Sequence, residues 1–380
     1  MIILKESSMR SDPYEVGNVI ENYYDGYYHF RKDLEDYSEA VIYVCWSFRG
    51  PGKTYSFLRY CKENNIKFIY LKRTADDVEL ICSGDNKALD FDPSPFVPLN
   101  RDFGWNVKPI ELKKGIGAFY DADEDDKCIG EPIGRIFALS KAKSVKGMEL
   151  SDVDFICLDE FIPQAHEIVR KKECDALLDL VLTVSRDRIA RGRKPLKLVL
   201  FANSEEISCP ITSGLEIIDD MAEMNHLKES IRYIEDRRIL LHHILPEEAP
   251  KVSEGQKMDG FYQAMKGTAW AKKAYQGDFA NNDFSNVKEF SIKNMIPYIH
   301  IHWKEKDYYI YSRESDGMFY MCSSKARCPV SYDLNKENDQ KLFWIEECQS
   351  LQVDCCENNM KFQKYSMYDL IRNYKKYFTI

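Results

Sequence analysis

The chain has 380 residues, 62 of them acidic and 53 basic, for a formal charge of −9. A chain of this length buries roughly three quarters of its unfolded surface and divides into more than one domain. With 44 % apolar and 30 % charged residues and no low-complexity tract, it is a folded chain rather than a disordered or fibrous one, and no apolar run approaches the ~18 residues of a membrane span. Met1-Ile-Ile-Leu-Lys5 has no basic stretch ahead of it and no small-residue cleavage site after it, so a secretory signal is not expected and the cytoplasm is the expected compartment. The 12 cysteines are scattered and read as reduced thiols. Cys322 with Cys328, adjacent Cys355 and Cys356, and alternating His300 and His302 are looser than the ligand pairs of structural zinc sites.

Residues 1–38 are tyrosine-rich and polar, broken by Pro13, Gly17 and Gly26, and read as an N-terminal extension. Val41-Ile-Tyr-Val-Cys-Trp46 and Lys67-Phe-Ile-Tyr-Leu71 are apolar runs of strand length, with a helix expected from Thr54 to Asn64 between them. That succession is a βαβ unit. Further buried strands are expected at Ile136-Phe-Ala-Leu139, Phe155-Ile-Cys-Leu158 and Leu196-Lys-Leu-Val-Leu-Phe201, and a helical period runs through Ala176, Leu177, Leu180, Val181 and Val184. The fold class is therefore α/β, with a parallel-sheet domain over residues 39–215. Residues 216–290, with the run Ile239–Leu245 and a Pro246-to-Pro250 break, read as a connector. From residue 291 the texture alternates, in Tyr298–Trp303, Asp307–Ser312 and Met318–Cys322, which predicts a β-meander in a small α+β domain closed by a helix around Met367–Tyr377.

Ser47-Phe-Arg-Gly-Pro-Gly-Lys-Thr54 lies directly after a buried strand and before a helix, the context a phosphate-binding loop requires. Gly50 and Gly52 let backbone N–H groups turn onto a phosphate, Lys53 reaches the terminal phosphates, and Thr54 suits Mg²⁺. Ser47 stands where the usual pattern has its first glycine; the alternative is a strand-to-helix turn that uses the glycines for backbone geometry alone. Phe155-Ile-Cys-Leu-Asp-Glu160 reads as a Walker B strand, with Asp159 on the Mg²⁺ shell and Glu160 orienting and deprotonating the attacking water. Together the two motifs predict nucleotide hydrolysis. Asn203, at the end of Leu198-Val-Leu-Phe-Ala-Asn203, is either a γ-phosphate sensor or a strand-end turn residue. Arg186, Arg188, Arg191 and Arg193 offer an arginine that acts on a neighbouring subunit, worth ~10³ or more in rate; read by pattern alone they are a solvated basic helix end.

Arg49-Gly-Pro-Gly-Lys-Thr-Tyr55, Phe68-Ile-Tyr-Leu-Lys-Arg73, Asp159-Glu-Phe-Ile162, Leu177-Leu-Asp-Leu180, Thr183-Val-Ser-Arg-Asp-Arg188 and Asn203-Ser204 together resemble the DNA-packaging (encapsidation) ATPases of phi29-like short-tailed bacteriophages. The resemblance covers about Tyr27 to Ser204. It implies a P-loop NTPase domain of the additional-strand, catalytic-glutamate (ASCE) type and, more weakly, a vestigial RNase H-like C-terminal domain that binds rather than cuts. It also implies a homopentameric ring, bound to the portal protein of a procapsid in the host cytoplasm, that drives double-stranded DNA inward using ATP and Mg²⁺. Whether a scaffold RNA joins the ring to the portal is open. By the same resemblance Arg186 is the trans-acting finger and Lys146 a second candidate, with Arg188 and Arg191 as further alternatives. Arg49 also senses the γ-phosphate, and Arg170, Lys171 and Lys172 face DNA. Lys361, Lys364, Arg372, Lys375 and Lys376, interleaved with Tyr365, Tyr368, Tyr374 and Tyr377, are either a nucleic-acid or portal contact or the solvated face of a closing helix. Other ring ATPases acting on DNA, such as helicases and phage-assembly motors, and a non-hydrolysing nucleotide-gated scaffold are the competing readings.

Overall fold

A parallel strand buried on both faces reads as an unbroken apolar run, and four such runs form the centre of the larger sheet in the computed structural model. It describes residues 25–84, 91–145, 147–164, 167, 169–280 and 282–380. The strands of this sheet are β1 (Ile42–Ser47), β2 (Phe68–Lys72), β3 (Val107–Lys113), β4 (Ile116–Ala122), β5 (Cys128–Ala138), β6 (Phe155–Asp159), β7 (Lys197–Asn203), β8 (Ile231–Ile234) and β9 (Ile239–Ile244). Their order is β3-β4-β5-β2-β6-β7-β1-β9-β8. Neighbours from β5 to β9 are parallel, while β3, β4 and β8 add antiparallel margins. The result is a mixed α/β fold with a large, predominantly parallel sheet.

The chain divides into two compact units. The first runs to residue 168 and adds Lys172–Glu206 and Met224–Ala280; the second comprises Val169–Lys171, Ile207–Glu223 and Asn281–Ile380. This division differs from the sequence-based one at both ends of the large sheet. Residues 25–38, expected in an extension, belong to the core of the first unit, and residues 1–24 of that extension lie outside the described residues. The expected connector 216–290 is shared between the units, because β9 pairs with β1 over six residues and carries its flanks into the first unit.

Phe30, fully buried on the helix Phe30–Asp36, shows why the N-terminal segment is core. Its ring meets Tyr43, Phe57, Phe155 and Phe201 edge-on at 5.3–6.1 Å, the preferred geometry for aromatic pairs. Its backbone N–H donates to Ser56 Oγ at 2.6 Å, which ties this helix to the helix Lys53–Glu63 that begins at the phosphate-loop candidate. Beside them His242 on β9 lies between Asp33 and Glu248. Burial alone would lower the His242 pKa, but the two carboxylates outweigh it and push it up to about 10.

The second unit holds β10 (Ile296–Trp303), β11 (Lys306–Arg313), β12 (Met318–Cys322), β13 (Val330–Asp333) and β14 (Met360–Phe362). They are ordered β13-β10-β11-β12-β14, an antiparallel meander with a parallel strand added at each edge. Tyr365, Tyr368 and Tyr374 on the closing helices are core side chains. They are therefore no platform for stacking bases, while Lys364, Arg372, Lys375 and Lys376 beside them are exposed.

Candidate functional site

In an open α/β sheet a ligand site lies beyond the carboxyl ends of the strands, where adjacent crossovers part. Here β7 lies between β1 and β6. The register sets Ser47 at the end of β1 beside Asn203 at the end of β7, and Asp159 at the end of β6 beside Phe201. Past β1 the chain turns through Gly50 and Gly52, at φ 88° and 100°, left-handed values that only glycine adopts without strain. The helix Lys53–Glu63 starts at the next residue. These elements enclose a cavity of about 260 Å³ lined by Gly50, Pro51, Gly52, Lys53, Thr54, Tyr55, Asp159, Glu160, Ala202 and Asn203.

Within it Lys53 Nζ donates to Ser47 Oγ and, at 3.4 Å, to Asn203 Oδ1. Burial pushes the Lys53 ammonium down to about 8, against the opposing pull of Asp159. Thr54 Oγ1 donates to Asp159 Oδ1 at 3.1 Å. Glu160 stands at φ 59°, an uncommon conformation for a non-glycine residue, of the kind that collects at functional sites. Arg73 secures this turn by donating from Nη2 to the carbonyls of Glu160 and Phe161 at 3.2 and 2.9 Å. Its remaining nitrogens bind Glu167 and Glu173, each at 2.7 Å.

Two groups of the site had no assigned role in the sequence reading. Tyr70 on β2 donates from its hydroxyl to Asp159 Oδ2 at 2.6 Å, and Lys72 Nζ lies 2.9 Å from Glu160 Oε2 and 3.7 Å from Asp159 Oδ2. Burial would lower the Lys72 pKa, but Asp159 and Glu160 prevail and raise it. The signal in the sequence was the cationic end of Phe68-Ile-Tyr-Leu-Lys-Arg73; its pairing with the carboxylates arises because β2 is hydrogen-bonded alongside β6.

The other predicted residues are not brought to this cavity. Ser47 is buried behind it as the acceptor for Lys53. Arg49 points away, with Nη2 at 3.4 Å from Glu205, which also binds Lys273 at 2.5 Å. Its backbone N–H donates to Ala274 O at 2.9 Å and its carbonyl accepts from Gln256 Nε2 at 2.8 Å, so the loop is braced by the 250–277 segment. Arg188 is buried and donates to the carbonyls of Ser151, Val153 and Lys194 and to Asp154. Arg191 pairs with Asp187, and Arg193 donates to Ser151 O. The exposed side chain of Arg186 alone of the four has no hydrogen-bond or ion-pair partner among the described residues. It lines a separate cavity with Glu149, Ser151, Arg188, Arg191 and Arg193. Arg188 anchors this segment at the start of β6, and Asp159 lies at the other end, ~13 Å along the strand at ~3.3 Å per residue. Lys146 lies outside the described residues. Arg170 and Lys172 are exposed, while Lys171 donates to Phe378 O at 2.6 Å.

The architecture defines the chain as a parallel-rich α/β protein whose loop and acidic strand end meet at the carboxyl edge of the sheet. Two solved structures of viral packaging motors share its fold. The bacteriophage Phi-29 viral genome packaging motor assembly matches at TM-score 0.63 and 15 % identity, over 92 % of this chain and 99 % of that one. The Phi-28 gp11 DNA packaging motor matches at TM-score 0.57 and 17 % identity, over 93 % and 98 %. The resemblance to a phi29-like packaging ATPase read from the sequence thus extends in fold over nearly the whole chain. By sequence, no protein-family profile and no curated protein matches.

Proposed function

We propose that this chain is an ATP-driven translocase that packages double-stranded viral DNA into a preformed procapsid, as one subunit of a homomeric, pentameric ring at the portal vertex in the host cytoplasm. The observation that carries the proposal is the convergence of Lys53, Thr54, Asp159, Glu160 and Asn203 on one cavity, in a fold shared with packaging motors. An ASCE-type P-loop domain is supported by β7, the additional strand between β1 and β6.

The donor set fits a hard cation: Thr54 Oγ1 and a carboxylate oxygen of Asp159 are 3.1 Å apart, and Mg²⁺ takes few protein oxygens besides those of a nucleotide. When bound, Mg²⁺ neutralises charge developing on the phosphate oxygens. Lys53 and the N–H groups of Gly50, Gly52, Lys53 and Thr54 hold the phosphates at a helix N-terminus. Glu160 orients the attacking water and accepts its proton, and Asn203, beside Lys53, registers the γ-phosphate. Lys72 holds the Glu160 carboxylate until nucleotide and DNA rearrange the site. Arg186, unpaired and far from its own site, supplies positive charge to a neighbour's γ-phosphate.

In the second unit β10 bears His300 and His302 and no aspartate, which supports an RNase H-like domain that binds rather than cuts. A formal charge of −9 suits a ring that must release DNA phosphates every cycle, since tight uniform binding would call for a basic domain with a steep salt dependence.

The test is ATP turnover and DNA packaging by wild type, Glu160→Gln, Arg186→Ala and an equal mixture of the two variants, with linear duplex DNA and empty procapsids. We expect both variants to bind ATP and stop, and the mixture to recover part of the turnover. An Arg186→Ala as active as wild type removes the finger. A Glu160→Gln that still packages makes the chain a nucleotide-gated scaffold.

A further inference from the structure

Outside the nucleotide site, three ligand-type side chains from three elements meet in the interior of the first unit. Asp33 comes from the helix Phe30–Asp36, Cys45 from β1 two residues before the loop, and His242 from β9. All three are buried, and one donor atom of each lies within 4.8 Å of the others. Asp33 Oδ2 is 2.9 Å from His242 Nδ1 and 3.7 Å from Cys45 Sγ. A fourth donor closes the group: the Tyr28 hydroxyl lies 2.7 Å from Asp33 Oδ2 and 3.6 Å from Cys45 Sγ.

Tetrahedral zinc with one sulfur ligand at ~2.3 Å and nitrogen or oxygen ligands at ~2.0–2.1 Å sets its donors about 3.3–3.6 Å apart. Four of the spacings, at 2.7–3.7 Å, lie within about 0.7 Å of that, and the Cys45 and His242 donors are within 4.8 Å of each other. The partner of the other ring nitrogen points the same way. His242 Nε2 faces Glu248 Oε1 at 3.2 Å, and a histidine that binds metal through one ring nitrogen generally donates from the other to a carboxylate, which fixes its tautomer. Glu248 is held in turn, accepting on Oε2 from Ser230 Oγ at 2.7 Å and Leu245 N at 2.9 Å.

We propose that Asp33, Cys45 and His242, with the Tyr28 hydroxyl as fourth donor, form a structural Zn²⁺ site that staples the N-terminal helix and β9 to the strand preceding the loop. Binding forms bonds from the metal to Asp33 oxygen, Cys45 sulfur, His242 Nδ1 and the oxygen of the Tyr28 hydroxyl, which keeps its proton, and releases to solvent the thiol proton and any proton on Nδ1. One carboxylate and one thiolate then balance the 2+ charge, so a closed, dry site carries no net charge. A borderline-soft ion suits this mixed sulfur, nitrogen and oxygen set, which Mg²⁺ would not select. The proposal is independent of the ATPase reading, because none of its ligands lines the nucleotide cavity.

The test begins with wild-type chain, purified without chelator or histidine tag, whose zinc content is measured and which is then exchanged with Co²⁺. We expect one metal per chain and a thiolate-to-cobalt charge-transfer band, both lost in Cys45→Ser and His242→Gln and both kept in Glu160→Gln. X-ray absorption at the zinc edge of the wild type needs no variant and is expected to show one sulfur and three lighter ligands. A wild-type chain that takes up neither zinc nor cobalt, an edge spectrum without sulfur or with several sulfurs, or a cobalt band that survives Cys45→Ser overturns the proposal. In the first case the cluster is a hydrogen-bonded charge network holding a proton where we place the metal.

Discussion

Gly277 packs against the backbone where β1 enters the loop, and replacing it by alanine gives a quantitative test. Its φ of +73° is left-handed, and a Cβ built there would lie 2.7 Å from Phe48 N, 3.2 Å from Ser47 C and 3.4 Å from His243 Nε2. The left-handed backbone costs a residue with a Cβ about 1–2 kcal/mol. Forcing a methyl into a filled space whose nearest neighbours are backbone adds about 1–3 kcal/mol, for a total of about 2–5 kcal/mol. Gly267 is the control, at φ +89° with nothing within 4 Å of its Cβ, so Gly267→Ala carries only the backbone part. Urea unfolding of both variants, followed by titration with a non-hydrolysable ATP analogue, separates the contributions. Gly277→Ala should be the less stable by about 1–3 kcal/mol. If some 1.4 kcal/mol of that strain relaxes by moving Phe48 and the loop, analogue affinity falls about tenfold. Equal losses for the two alanines, with affinity unchanged in both, would show that the close approach does not constrain the loop.

Arg188→Ala should destabilise the first unit by about 1–3 kcal/mol, because it leaves the carbonyls of Val153 and Lys194 without their donor while half-exposed Asp154 is rehydrated, whereas Arg186→Ala should unfold at the same urea concentration as wild type while losing DNA-stimulated turnover. The reverse pattern would exchange the two roles. Lys72→Met should raise ATP turnover in the absence of DNA by freeing Glu160, with ATP binding little changed; a fall in turnover instead would mean that Lys72 is needed to hold the carboxylate in place. Asn203→Ala should lower the turnover number at nearly constant stability if the amide registers the γ-phosphate, and unaltered kinetics would leave it as a strand-end residue.

Much of the fold was legible because the strongest elements announce themselves locally. The runs at β1, β2, β6 and β7 are continuous and apolar, as strands buried on both faces must be, and the glycines and lysine between β1 and its helix mark a turn that few other functions need. Lys53, Thr54, Asp159, Glu160 and Asn203 were each visible as strand-end or loop residues. The antiparallel margins were not, since β3 interleaves Lys108, Pro109 and Glu111 with its apolar residues and resembles a loop until β4 pairs with it. Nor was the place of β8 and β9, which read as a connector because β9's partner β1 lies some 200 residues earlier in the chain.

Periodicity and turn chemistry are properties of neighbours along the chain, so the sequence alone determined the βαβ unit, the loop and the acidic strand end. Which strand lies beside which is settled by burying apolar faces from distant segments together, and that decided the rest. It set Lys72 against Glu160, made Arg188 a structural anchor while leaving Arg186 unpaired two residues away, and gathered Asp33, Cys45 and His242 into one buried cluster.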